Sequence, residues 1–273
     1  GYNSIPYLME LWLVRISDLY LHEETVVRYI QKLGESLLRE GVLLNPILVD
    51  KDYHVVLDGT HRVKCLERLG YKRIPAVLVD YLDERIRLRN WYRVLSGDIG
   101  IIWRVAKDFS FVETQYRSWY AREGVIDRIV LASNKGTLVY MGEGDIYDVY
   151  CLLKKFEEKL RVSGVGIEYI HEEEAVSLVE KGKTIIITPK LSKLDIIRNA
   201  RAGRVFPPKT TRHIFPVRPL FIEVPLDLLG EPKIGVDSEA IMEKSLSRRL
   251  CIKMGGRITI DRFYEEDYLV VFI

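Results

Sequence analysis

Glutamine occurs twice in the 273 residues, at Gln31 and Gln115, and cysteine three times, at Cys65, Cys151 and Cys251. The cysteines are far apart and form no C-x-x-C pair. Together with five scattered histidines they offer no zinc-ligand spacing. They read as buried free thiols in a reducing compartment. An excess of either charge is also missing: 41 basic against 39 acidic residues leave a net charge of +2, which argues against a broad nucleic-acid surface. No apolar run approaches the length of a membrane span and no signal-peptide pattern opens the chain, so a cytoplasmic location with no membrane partner is expected. Internal repeats and low-complexity segments are absent.

What is present is 48% hydrophobic and 29% charged residues, the balance of a soluble globular protein able to bury a sizeable core, with length enough for two domains. Scarce glutamine and asparagine beside abundant Ile, Val, Arg, Lys and Glu lean towards a thermophilic source.

Along the chain, residues 24–40 have helical periodicity, with Val26, Val27, Ile30, Leu33, Leu37 and Leu38 on one face and Gly41 as terminator. Pro46–Val49 and His54–Leu57 read as a strand pair around the Asp50–Asp52 turn. A helix over 61–69, a strand over 74–79 and a further strand before Asn90-Trp91-Tyr92 follow. From about residue 105 the pattern changes. It predicts an aromatic-rich helix over 111–122, strands near 126–132 and 137–141, a helix over 145–160 and a strand over 165–170. Then come a helix over 172–181, a strand over 184–188, a helix over 192–202 with Ser192 as N-cap, and a strand over 219–224. The tail 237–273 reads as one helix and two or three strands, with a hairpin near Gly255-Gly256 packing on the second domain. The expected organisation is α+β, with one domain over 1–104 and a second α/β domain over 105–273.

Three stretches carry candidate chemistry. Asp58-Gly59-Thr60-His61-Arg62 stands between a strand and a helix start, where orphan backbone N–H groups and the helix dipole favour an anion. It reads equally well as an N-capped helix with surface charges. His22-Glu23-Glu24 precedes the first long helix. It reads either as acid placed to suit the helix dipole or as a general base. Val205-Phe206-Pro207-Pro208-Lys209-Thr210-Thr211-Arg212-His213 sets five consecutive hydrogen-bonding side chains behind a stiff apolar lead-in, which suits anion or carboxylate binding with Arg212 as the bidentate element. Trp91 is a weaker candidate, since tryptophan after a strand is more often core.

Leu57–Arg62 resembles the signature of the ParB/sulfiredoxin-like fold, in which a strand–turn–helix element binds nucleotide phosphates. Within that fold the chain is similar to the archaeal free L-serine kinase family, through four segments in order: His22-Glu23, Asp58–Arg62, Trp91-Tyr92 and Phe206–His213. The resemblance spans roughly residues 15–225 and leaves the tail after about 228 without a role. It implies phosphoryl transfer from ATP or ADP to the hydroxyl of L-serine, with Mg²⁺, at an active site in the interdomain cleft.

By position, Glu23 matches the general base and Asp58 a catalytic carboxylate near the phosphates and the metal. His61 matches a catalytic and phosphate-contacting position; Gly59, Thr60 and Arg62 complete the nucleotide-binding turn. His22, Trp91, Lys209, Thr210, Thr211, Arg212 and His213 match the serine side. Sulfiredoxin chemistry would need a cysteine where Thr60 stands. A ParB-like DNA-binding protein would need a helix-turn-helix and a basic surface, and no nucleic-acid partner is expected. A kinase of another small hydroxy-amino acid remains an alternative. The residues do not decide between ADP and ATP, nor the oligomeric state.

Overall fold

A computed structural model describes residues 10–114 and 127–273. They form two compact units that are not continuous in sequence. The first holds the described residues up to Arg87, then Ile197–Val205 and His213–Ile273; the second holds the described residues from Leu88 to Ile196, and Phe206–Arg212.

The first unit opens with β1 (Glu10–Arg15), β2 (Tyr20–Leu21), α1 (Val27–Glu40), β3 (Val42–Leu43), β4 (Ile47–Asp50), β5 (Val55–Asp58), α2 (Thr60–Arg68) and β6 (Arg73–Val79). A mixed sheet in the order β1-β6-β4-β5-β2 results. Its central strand β4 is buried along its whole length, as a strand flanked on both sides requires. Helix α1 ends as the sequence predicts: Gly41 is left-handed (φ 72°) and its N–H donates to Leu37 O at 2.8 Å. Its apolar stripe is narrower than the periodicity predicts. Ile30 and Leu37 are buried, whereas Val27 and Leu38 are exposed.

The second unit contains β7 (Arg87–Ser96, from Leu88 on), α3 (Ile99–Asp108), β8 (Phe111–Thr114), β9 (Val130–Ser133), β10 (Gly136–Tyr140), α4 (Ile146–Val162), β11 (Gly166–His171), α5 (Ala175–Glu180) and β12 (Thr184–Ile187). The sheet runs β11-β7-β12-β9-β10-β8, with antiparallel neighbours. Val130, Ala132, Ile170, Ala175, Val179, Ile185 and Ile187 form a core on it. Two departures from expectation stand out. Helix α3, started by the Asp98 side chain accepting from Ile101 N–H, was not anticipated. The start of the expected 111–122 helix is instead strand β8, because Phe111 pairs in register with Tyr140 and packs its ring on Tyr140 and Phe156; residues 115–122 lie outside the described residues.

Helix α6 (Lys193–Arg201) carries the chain back to the first unit and is capped by Ser192, whose Oγ accepts from Asp195 N–H. Strand β13 (Thr211–Ile214) makes the last passage. Then follow β14 (Val217–Leu220), β15 (Val224–Pro225), α7 (Ser238–Ser247), β16 (Cys251–Gly255), β17 (Ile258–Thr259), β18 (Phe263–Tyr264) and β19 (Tyr268–Phe272). β19 pairs with β14 in parallel and with β16 antiparallel.

The tail therefore belongs to the first unit, whereas the sequence reading grouped 105–273 together and placed the tail hairpin on the second domain. The reason is long-range pairing. β15 pairs with β3, Leu13 N–H donates to Glu239 Oε1, and Arg73 donates to Gly230 O and Ser238 Oγ. At the other boundary, residues 91–96 of β7 join the second unit by pairing with β11. Among the described residues no helix is long and apolar enough to cross a membrane.

Candidate active site

The turn after β5 is shaped by one residue. Gly59 has φ 105°, and a Cβ there would meet Ile47 Cγ2 at 2.3 Å, so both backbone and space demand glycine. Gly59 is also the N-cap of α2, and no side chain caps that helix start. The side-chain capping explanation of this motif therefore fails, and the first-turn N–H groups keep the arrangement that binds anions.

Asp58, the last residue of β5, is surrounded by arginines. Its Oδ2 accepts from Arg62 Nη2 at 2.8 Å and from Arg218 Nη1 at 2.6 Å, and Arg218 Nε donates to Glu266 Oε1 at 2.8 Å. Burial alone would raise the Asp58 pKa; the charges of Arg218 and Arg62 outweigh it and hold the carboxyl well below the usual carboxylate range. Burial likewise works against the Arg218 charge, yet Asp58 and Glu266 raise its pKa overall. Arg62 is committed elsewhere too: Nη1 donates to Asn45 O at 3.0 Å and to Pro46 O at 2.6 Å. It clamps the entrance of β4 to the turn, a role that the phosphate-contact expectation did not include.

Glu23 lines a cavity of about 480 Å³ in the same unit, together with Tyr20, Glu24, Thr25, Lys64 and Gly203. Its segment is pinned from both sides. His22 is buried, and its Nδ1–H donates to Val56 O at 2.6 Å. Burial lowers the His22 pKa, against the opposing pull of Glu23 and Asp58, so its neutral form is favoured. On the other side, His61 Nε2 accepts from Val26 N–H at 3.0 Å, at the N-cap of α1. That bond requires the His61 proton on Nδ1. His61 of the turn thus fixes the segment that carries Glu23.

His213 belongs to this unit as well. It lies edge-on to His22, with centroids 5.4 Å apart, and its Nε2 is 2.7 Å from the Tyr81 hydroxyl. Tyr81 is fully buried and burial drives its pKa far above the ordinary phenol range, so it stays protonated.

The remaining expected residues lie in the second unit. Lys209 Nζ is 4.8 Å from the centre of the Trp91 ring and Arg212 Cζ is 5.7 Å from it, so two cations face one indole. Lys209 is left-handed (φ 61°), and its carbonyl accepts from Arg93 Nη1, which also donates to Trp91 O. Arg93 is buried and pairs with Glu157. The Thr210 hydroxyl donates to Pro207 O at 2.6 Å and is buried; Arg212 donates to both carboxylate oxygens of Glu173. Thr211 is half-buried on β13. Sequence reasoning missed Arg218, Glu266, Tyr81 and Arg93. A usable signal existed for Arg218, because an arginine inside the apolar run Val217–Leu220 must find a carboxylate when buried.

No family profile matches the sequence. The chain is 30% identical over 232 residues to an ATP-dependent L-serine kinase of Staphylothermus marinus, covering 80% of this chain and 90% of the relative. It is 28% identical over 227 residues to the ADP-dependent L-serine kinase SerK of Thermococcus kodakarensis, covering 79% and 91%. Among solved structures, a free serine kinase variant in complex with AMP is similar with a TM-score of 0.70 at 25% identity, over 81% of this chain and 94% of that one. With an uncapped phosphate-type turn, a carboxylate ahead of α1 and this likeness over most of its length, the chain belongs to the free L-serine kinase family.

Proposed function

We propose that this chain transfers a phosphoryl group from ATP or ADP to the hydroxyl of free L-serine, giving O-phospho-L-serine. The observation that carries the reading is the glycine-headed start of α2, in the same unit as a carboxylate, Glu23, that opens onto a cavity. The N–H groups of Thr60 and His61, with the α2 dipole, receive nucleotide phosphate oxygens. Glu23 accepts the serine hydroxyl proton as the new O–P bond forms and the bond to the leaving nucleotide breaks. Positioning and fixed positive potential supply most of the rate enhancement. His22 and His61 contribute by holding the Glu23 segment still. His213, set by Tyr81, is proposed on the serine side, and Lys209 with Trp91 forms the second unit's anion-attracting element.

Magnesium is proposed to accompany the nucleotide. Asp58 is a poor direct ligand for it. One of its oxygens is shared by two guanidinium groups and the Arg262 charge acts there as well, so a divalent ion on this carboxylate would sit among three cations. Among the described residues, the three carboxylates close enough to share an ion are Asp50, Asp52 and Asp80. Asp50 already accepts from the N–H groups of Tyr53 and Tyr81.

The test is incubation of the protein with L-serine, L-threonine or L-homoserine and either nucleotide, with magnesium, followed by phosphorus NMR. O-phosphoserine is expected. Its absence with both nucleotides sinks the proposal, and product from threonine or homoserine alone transfers it to another hydroxy-amino acid.

A further inference from the structure

We propose that Arg218, anchored by Glu266, is a positioning residue that holds Asp58 in place for phosphoryl transfer, and that this is what the C-terminal segment contributes to the reaction. The proposal rests on the kinase reading above.

Three segments distant in sequence converge here: the end of β5, strand β14, and the loop between β18 and β19. Arg218 is 5% exposed and Glu266 is 3% exposed, so both charges have been taken out of water. Such a pair contributes little net stability, because desolvation offsets the Coulomb attraction and apolar replacements often do as well. A gain in stability is therefore a weak reason for this arrangement, whereas geometry is a strong one. Each edge of the guanidinium is used for a different acid: Nε for Glu266 and Nη1 for Asp58. The Phe215 ring lies 5.3 Å from its centre. A planar group fastened at one edge presents the other edge in a fixed direction.

The recipient is the residue that leads into the phosphate turn. Both arginine contacts fall on Asp58 Oδ2, from α2 on one hand and β14 on the other, which sets the carboxylate rotation without using Oδ1. The anchor is itself well seated. Glu266 lies just ahead of β19, which pairs in parallel with β14, and Leu220, Tyr264 and Leu269 form a small core beside them. The tail for which the sequence offered no role thus reaches the nucleotide turn through one arginine.

The test uses the full chain with Arg218→Met and Glu266→Gln combined, so that neither change leaves a buried charge alone. A displacement of about an ångström passed from Asp58 to the phosphate turn can cost a factor of about 100, so kcat is expected to fall roughly 100-fold. Because the contact shapes the reacting geometry rather than substrate affinity, the nucleotide KM should stay within about threefold of wild type. The thermal midpoint should stay within about 5 °C. Arg218→Lys alone restores a charge without the two-edged geometry, and should recover about a tenth of wild-type kcat.

A folded double variant with wild-type kcat overturns the proposal, as does a loss carried by KM alone. A double variant that unfolds also does, unless Arg218→Lys is folded and shows the kcat loss. Wild-type protein run in parallel separates the two levels: no O-phosphoserine from it overturns the kinase reading and the positioning role with it. Normal wild-type turnover with unaffected variants overturns the positioning role only.

Discussion

The turn Asp58–Arg62 and the loop Phe206–Arg212 look alike in sequence, each setting basic and hydroxyl side chains close together, after a glycine in the turn and after two prolines in the loop. The loop looks the richer in free donors and the turn the more ordinary. Their structures reverse that order. At the turn no side chain caps α2, so its backbone donors remain arranged for an anion. In the loop, the Thr210 hydroxyl is spent on Pro207 O, Arg212 on Glu173 and the Lys209 carbonyl on Arg93. Polar groups in a buried loop tend to be spent on neighbouring protein groups, because buried polar atoms must be paired. A glycine at a helix start cannot cap with a side chain, whatever surrounds it.

The contrast can be broken most sharply on the side of the turn. Glu23→Gln keeps the cavity and the His22 and His61 contacts but removes the base, so turnover is expected to fall about 1,000-fold while nucleotide binding persists. Calorimetric titration with ADP beside a turnover assay checks this, and activity near wild type would remove Glu23 from that role. Next in size is Gly59→Ala, which forces a Cβ against Ile47 at positive φ and should cost about 3 kcal/mol of stability together with nucleotide binding. Denaturant unfolding measures the first and titration the second. A stable variant with normal binding would show that the turn tolerates a side chain.

The smallest effect belongs to the loop. Thr210→Val removes one buried hydrogen bond and should cost about 1 kcal/mol of stability while leaving the serine KM unchanged. A large rise in that KM with unchanged stability would return Thr210 to the substrate side and undo the contrast.

Local signals were legible, and distant ones were not. Gly41 as helix terminator, Ser192 as N-cap, the 47–58 strand pair and the strand–turn–helix at Asp58 follow from short patterns, and each is present. Helix α3 was missed although Asp98 is an ordinary cap, since the expected change of pattern at about residue 105 falls inside it and no element was assigned there. The 111–114 segment was read by its aromatic spacing, but pairing with β10 decided its conformation, and pairing cannot be read from a window of one strand. The same limit hid the charge cluster. Arg218 is 160 positions from Asp58 and 48 from Glu266, separations at which no periodicity carries information. His22 and His213 were each picked out by motif, yet their edge-to-face contact and the Tyr81 hydroxyl beside His213 belong to the fold alone.

The interrupted first unit also has a consequence in time. A ribosome delivers Asp58 and Arg62 early, then the whole second unit, and only afterwards Arg218 and finally Glu266. A nascent chain can therefore form the β4–β5 pair and helix α2 long before the counter-charge for Asp58 exists, while the intervening segment collapses as a body of its own. Chains released between residues 247 and 266 would present the Asp58–Arg62 turn with Arg218 unanchored, and would be distinguishable from the 273-residue chain by turnover before any difference in helix content is seen.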